Sequence, residues 1–143
     1  MRLSTRTRYA ARALVELASG AVAPVSIREI AERQHISAKY LEQIFHTLSS
    51  VGLVRAIRGK SGGYELAKPP ASITMKDVLV AFEGAIALEC TDDPDRCPLV
   101  DTCATRDTWV ELKEAILGVL ERTTLQDLAD RKQAKCSSSK CGM

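Results

Sequence analysis

Ser37-Ala-Lys-Tyr-Leu-Glu-Gln-Ile-Phe-His-Thr-Leu-Ser-Ser50, followed past Gly52 by Leu53-Val-Arg-Ala-Ile-Arg-Gly-Lys-Ser-Gly-Gly-Tyr-Glu-Leu66, is the stretch that decides the fold. Leu41, Ile44, Phe45 and Leu48 repeat at helical spacing, and Ser37 stands where a hydroxyl caps the first turn. The opposite face carries Lys39, Gln43, His46 and Ser50, flanked by Tyr40, Glu42 and Thr47. Residues 53–58 and 64–67 alternate as strands around a turn with three glycines, which predicts a basic β hairpin.

Just upstream, Ser26-Ile-Arg-Glu29 is a capping box opening a short helix to about Gln34. The turn at His35-Ile36 then leads directly into the Ser37 helix. Two helices so joined are a helix-turn-helix, and the hairpin behind them reads as its wing. A solvated helix face and an ordinary glycine turn are the bland readings. A nucleotide-binding glycine loop is not expected, because the spacing is wrong and no helix opens behind it. Charge supports a nucleic-acid reading: residues 1–68 carry 11 Lys and Arg against 5 Asp and Glu, net +6, whereas residues 69–143 carry net −4. Arg58 and Lys60 near the wing tip suit phosphate or a narrow minor groove.

Further outward, Ala10, Ala13, Leu14, Leu17 and Ala18 predict a first helix from Ser4 or Thr5 to Ser19, stopped by Gly20. Lys68-Pro-Pro70 breaks the chain, and Thr74-Met-Lys-Asp77 opens a helix with Met75, Val78, Leu79 and Phe82 on one face, ending at Gly84. A long helix is predicted from Thr105 to about Arg122. Trp109, Leu112, Ile116 and Val119 form a stripe on it that suits a twin helix from a second copy. A short helix capped by Thr124 and Asp127 and a disordered tail complete the chain. The fold class expected is mainly α with a small β wing: a winged helix-turn-helix at 1–68, a connecting helix at 69–89, a cysteine loop at 90–103, a dimerisation helix and short terminal helix at 104–131, and a flexible tail at 132–143.

Cys90, Cys97 and Cys103 lie within fourteen residues on Pro- and Asp-rich sequence that predicts neither helix nor strand. One such cysteine would read as a small buried hydrophobe; three on a polar loop point to metal. Zinc sites pair their cysteines two to four residues apart, and the gaps here are six and five. An iron-sulfur cluster tolerates wider spacing and fits better. A calcium site on Asp92, Asp93 and Asp95 lacks the turn glycine and the closing glutamate. No apolar run approaches the roughly 20 residues that span a bilayer. The chain also shows no secretory signal, so a cytoplasmic protein with reduced cysteines is expected. An enzyme is not expected, because His35 and His46 are the only histidines, both in the basic half, and no nucleophile-base pair or Cys-x-x-Cys appears.

The chain resembles the iron-sulfur-sensing winged-helix transcription regulators of bacteria, the family typified by the cluster assembly regulator and the nitric-oxide-sensitive repressor. The likeness runs from Met1 to about Asp130. It is carried by Met1-Arg-Leu with Arg8-Tyr-Ala, Ile36-Ser-Ala-Lys-Tyr-Leu-Glu-Gln43, the wing from Val54 to Tyr64, the three cysteines and Trp109. The resemblance implies a homodimer joined by its long helices, a palindromic double-stranded operator, and a cluster held by Cys90, Cys97 and Cys103, four-iron favoured over two-iron. It further implies that Ser37, Tyr40, Glu42 and Gln43 act at the major groove and Arg58 at the minor groove. The cluster assembly regulator has a histidine where this chain has Arg106, and the nitric-oxide sensor has a partner-supplied aspartate where it has Arg8. The fourth ligand is then left among Asp107, Asp101, a tail cysteine and a small exchangeable ligand. Two other readings stand beside this one: a winged-helix regulator sensing thiol oxidation or a small effector, and a small iron-sulfur electron-transfer or cluster-transfer protein.

Overall fold

The computed structural model describes residues 2–20 and 24–138, apart from the side chains of Glu89 and Cys90. Helix α1 spans Thr5–Ser19, with the Ser4 hydroxyl accepting from the Thr7 N–H and Gly20 closing the last turn on the Glu16 carbonyl. Helix α2, Ile27–Gln34, opens with the expected Ser26–Glu29 box. His35 ends it in the left-handed region at φ 54°, the one non-glycine residue to do so among those described. That reversal starts α3, Ala38–Ser50, capped by Ser37. Strands β1, Val54–Ile57, and β2, Gly63–Leu66, pair antiparallel with Val54 opposite Leu66 and Ile57 opposite Gly63.

A short 3-10 turn at Pro70–Ser72 leads into α4, Met75–Glu83, which carries a second capping box on Thr74 and Asp77. One helical turn, α5, covers Glu89–Asp92, and a 3-10 turn covers Pro94–Arg96. These turns correct the expectation that the cysteine loop holds no regular structure. Their cause is local, since the Asp92 carboxylate accepts from the Leu88 N–H at 2.8 Å and Pro94 stands in the first turn, where its missing N–H costs nothing. Helix α6, Arg106–Arg122, and helix α7, Leu125–Ser138, follow.

One apolar core joins these elements. Leu14, Ile30, Leu41, Ile44, Phe45 and Leu48 are fully buried, and Ile73, Val78 and Leu125 belong to the same cluster. The start of α4 and the start of α7 are stitched by Met75 N–H to Thr123 O at 2.8 Å and Leu125 N–H to Ile73 O at 2.9 Å. Helix α7 therefore returns to lie on α1. It also runs past residue 131: residues 132–138, expected as flexible tail, are its second half. Cys141 lies outside the described residues.

The extension of α7 has an electrostatic anchor. Glu16 is only 3% exposed, yet its carboxylate accepts from Gln34 Nε2 and Lys132 Nζ and lies 3.5 Å from Arg33. Burial pushes its pKa up, but the hydrogen bond and charge of Lys132, the Gln34 amide and the Arg33 charge outweigh that and hold it below the ordinary 4.5. A depressed carboxylate contributes stability that is present above the unfolded-state value and is lost as pH falls through the folded one. Lys132 and Arg33 are partly exposed, so solvent screening limits the gain to about 2 kcal/mol. Glu16→Gln is expected to lower stability by that amount at pH 7 and to flatten its fall below about pH 4.5, measured by urea unfolding between pH 3 and 7.

Candidate nucleic-acid interface and cysteine loop

The apolar side of α3 is driven into the core by its own periodicity, which leaves Lys39, Glu42, Gln43 and His46 exposed on the other side. Ser37 is exposed too, with its hydroxyl already accepting the Tyr40 N–H at 3.3 Å. Tyr40 differs from its neighbours. It is half-buried and meets Tyr9 of α1 edge to face at 5.8 Å, while Arg12 stands over the Tyr9 ring. It therefore packs α3 against α1 as well as bordering the outer face.

Arg58 and Lys60 project from the wing tip, both exposed. Among the described residues neither is in an ion pair, whereas Arg55, three residues before Arg58 on β1, is paired with Glu65 directly across the hairpin. The wing's free charge is thus concentrated at its tip. Its base is fixed twice: Tyr64 stacks on Phe45 of α3 at 4.6 Å, and Tyr64 exchanges both backbone bonds with Val25, at 3.0 and 2.8 Å, just ahead of α2. Wing and helix-turn-helix are tied together in consequence, and both present exposed basic and polar side chains.

The cysteine loop joins the end of α4 to the start of α6. Cys97 and Cys103 are free thiols, each half-buried. The Thr105 hydroxyl lies 3.4 Å from Cys103 Sγ; with the backbone N–H groups of Thr105 and Arg106 and the Arg106 charge, it holds that thiol below its ordinary value. Cys90 sits in α5, which Lys113 ties to α6 through Asp92. Among the described residues no three His, Cys, Asp or Glu side chains converge on one point. The donor set nevertheless suits a soft metal centre: two free thiols, one of them held below its ordinary pKa, share a short loop with a third cysteine. Arg106, at the position where a relative's histidine would ligate, keeps a buried Nε–H with no acceptor among the described residues. A guanidinium offers donors and no lone pair, so it can neutralise sulfur charge without ligating.

Helix α6 buries none of its residues within the single chain. Trp109, Leu112 and Val119 are exposed and Ile116 is half-buried, in the expected stripe. Beside the stripe, Leu79, Ile86 and Leu88 line an apolar groove of about 410 Å³. No described helix is long and apolar enough to cross a membrane.

Residues 3–131 match the Rrf2 family of iron-dependent transcriptional regulators. The chain belongs to the Rrf2 family. Rrf2 relatives include the protein rrf2 of Nitratidesulfovibrio vulgaris, 39% identical across all of this chain and 96% of that protein. The solved structure of CymR, the global cysteine regulator of B. subtilis, matches with a TM-score of 0.77 and 34% identity over 92% of this chain and 98% of CymR. The structure of T. potens IscR matches with a TM-score of 0.73 and 32% identity over 100% of this chain and 92% of that one. As an Rrf2 member the chain is a DNA-binding transcription regulator of winged-helix fold and not an enzyme. The sequence reading of the fold and of this resemblance is borne out. What it missed are contacts with no local signal: Tyr9 under Tyr40, Glu16 under Lys132, and the grip of α1 on the end of α4.

Proposed function

We propose that this Rrf2 regulator acts as a homodimer on a palindromic operator, with affinity set by an iron-sulfur cluster on Cys90, Cys97 and Cys103. Ser37, Tyr40, Glu42 and Gln43 face the major groove, Lys39 and Lys60 take phosphates, and Arg58 enters the minor groove. A carboxylate beside phosphates is repelled, so Glu42 is best placed to accept from a cytosine amino group. Trp109, Leu112, Ile116 and Val119 close the dimer. The observation that carries the sensing half is the cysteine loop itself: three cysteines on the one segment that connects α4 to α6, with Cys97 and Cys103 not tied into a disulfide. When bound, the cluster supplies a centre open to oxygen, nitric oxide or iron loss. The chain's part is to hold the thiols, offer the Arg106 charge, and pass the loop's conformation to the helices on either side of it.

Anaerobic purification with visible absorption, and with iron and acid-labile sulfide measured per chain, tests this directly. Broad charge-transfer absorption with sulfide equal to iron is expected, four per chain favoured over two. Operator affinity should then differ between loaded and stripped protein by roughly 5- to 150-fold. Colourless protein that takes up no iron would instead favour regulation by thiol oxidation. The Thr105 hydroxyl 3.4 Å from Cys103 Sγ is compatible with that second reading as well as with the first.

A further inference from the structure

Glu83 is the last residue of α4, directly ahead of Gly84 and the cysteine loop. Its carboxylate reaches back 79 residues to accept from the Ser4 N–H at 3.0 Å, and also from the Thr7 hydroxyl at 2.5 Å. Thr7 is 3% exposed, so water has little access to that hydroxyl as a substitute partner. Arg6, between these two, lies close enough to favour the charged Glu83 carboxylate and reaches on to Phe82 and α3. Its guanidinium lies 5.5 Å from the Phe82 ring centre and donates to Thr47 Oγ1 of α3 at 3.4 Å. Thr47 is one helical turn beyond Gln43 and hydrogen-bonds its carbonyl at 3.4 Å. One turn of α1 thus grips both final residues of α4 and holds the side of α3.

We propose that Glu83 and Arg6 are positioning residues for DNA reading, through which the state of the cysteine loop sets the placement of α3. This rests on the sensing role proposed above. The cap of α1 is already made by Ser4 to the Thr7 N–H, so Glu83 is not needed to start that helix. What it adds is a tie between α1 and the residue from which the loop departs. A shift of the loop that pulls Glu83 away frees Ser4 and Thr7 and loosens Arg6 from Phe82. The Thr47 contact then has no fixed base. None of these side chains is among those placed against DNA.

Operator affinity measured anaerobically, before and after treatment with diamide and a chelator, tests the tie. Wild type is expected to change by roughly 5- to 150-fold. Glu83→Ala, lacking the acceptor, should change less than twofold while melting as a folded protein. Glu83→Gln, which keeps an acceptor oxygen, should retain most of the response. Arg6→Met keeps the packing on Phe82, loses the donor to Thr47 and should behave as Glu83→Ala. Hydrogen exchange along α3 should differ between the two states in wild type and coincide in both uncoupled variants. A responsive wild type with an equally responsive Glu83→Ala and Arg6→Met would overturn the positioning role alone. An unresponsive wild type would overturn the sensing function and this inference with it.

Discussion

Gly63→Ala is expected to destabilise the protein by about 3 kcal/mol and to weaken operator binding by at least tenfold, although Gly63 itself touches no DNA in the proposed complex. A Cβ there would lie 2.3 Å from the Val25 carbonyl oxygen, 2.5 Å from its carbon and 2.8 Å from the Ser26 nitrogen. All three are backbone atoms, so no side-chain rotation can relieve the contact. Relief requires β2 to leave the segment ahead of α2, which breaks the paired bonds between Tyr64 and Val25 and disturbs Tyr64 on Phe45. The wing then loses its fixed angle to α3, and Arg58 and Lys60 lose their register with the groove. Gly59 provides the control. It too has positive φ, at 116°, but a Cβ there meets nothing within 4 Å, so Gly59→Ala should cost roughly 1–3 kcal/mol from backbone strain alone and leave the Val25–Tyr64 bonds, and with them operator affinity, within about twofold. Thermal melts and operator titrations on both variants check the contrast; equal effects would mean that the wing is not seated on α2.

The helix-turn-helix and wing were legible in the sequence because their signals are local. Ser26 with Glu29, Ser37 before an apolar repeat, and alternation on either side of the glycines each act within a few residues, and all are realised. The α6 stripe was legible for the same reason, since its spacing defines a face whatever covers it. The missed features depend on residues distant in the chain. Glu16 stands on the buried face of α1, where pattern reasoning expects an apolar side chain, and its partner Lys132 is 116 positions away. Residues 132–138 look like a solvated polar tail, but Lys132 is tethered to a carboxylate in the interior. Lysine, glutamine and alanine then continue the helix readily. The sequence puts Tyr40 only at the flank of the outward face of α3; the fold brings Tyr9 beneath it. Of the cysteine loop, the sequence revealed the thiols and their spacing. The Thr105 hydroxyl on Cys103 and the Arg106 Nε–H, which finds no acceptor among the described residues, are facts of three-dimensional placement.

Leu112→Glu combined with Val119→Glu is expected to convert a dimer to monomers and to lower affinity for a palindromic operator by a hundredfold or more. The side chains are 46% and 47% exposed in the single chain, so placing carboxylates there removes little packing, and monomer stability should change by less than about 1 kcal/mol. In a closed dimer the same carboxylates would be buried against a second apolar helix without partners, at a cost of several kcal/mol each. Once separated, each winged domain binds its half-site independently, and the high local concentration that a tethered second domain enjoys is lost. Affinity for an isolated half-site should be nearly unchanged, because Lys39, Gln43, Arg58 and Lys60 all lie on the other part of the fold. Light scattering with size exclusion, and titrations against full and half operators, separate these effects. A dimer that survived both substitutions would move the interface off α6. A monomer that still bound the full operator with wild-type affinity would show that a single helix-turn-helix and wing supply the affinity alone.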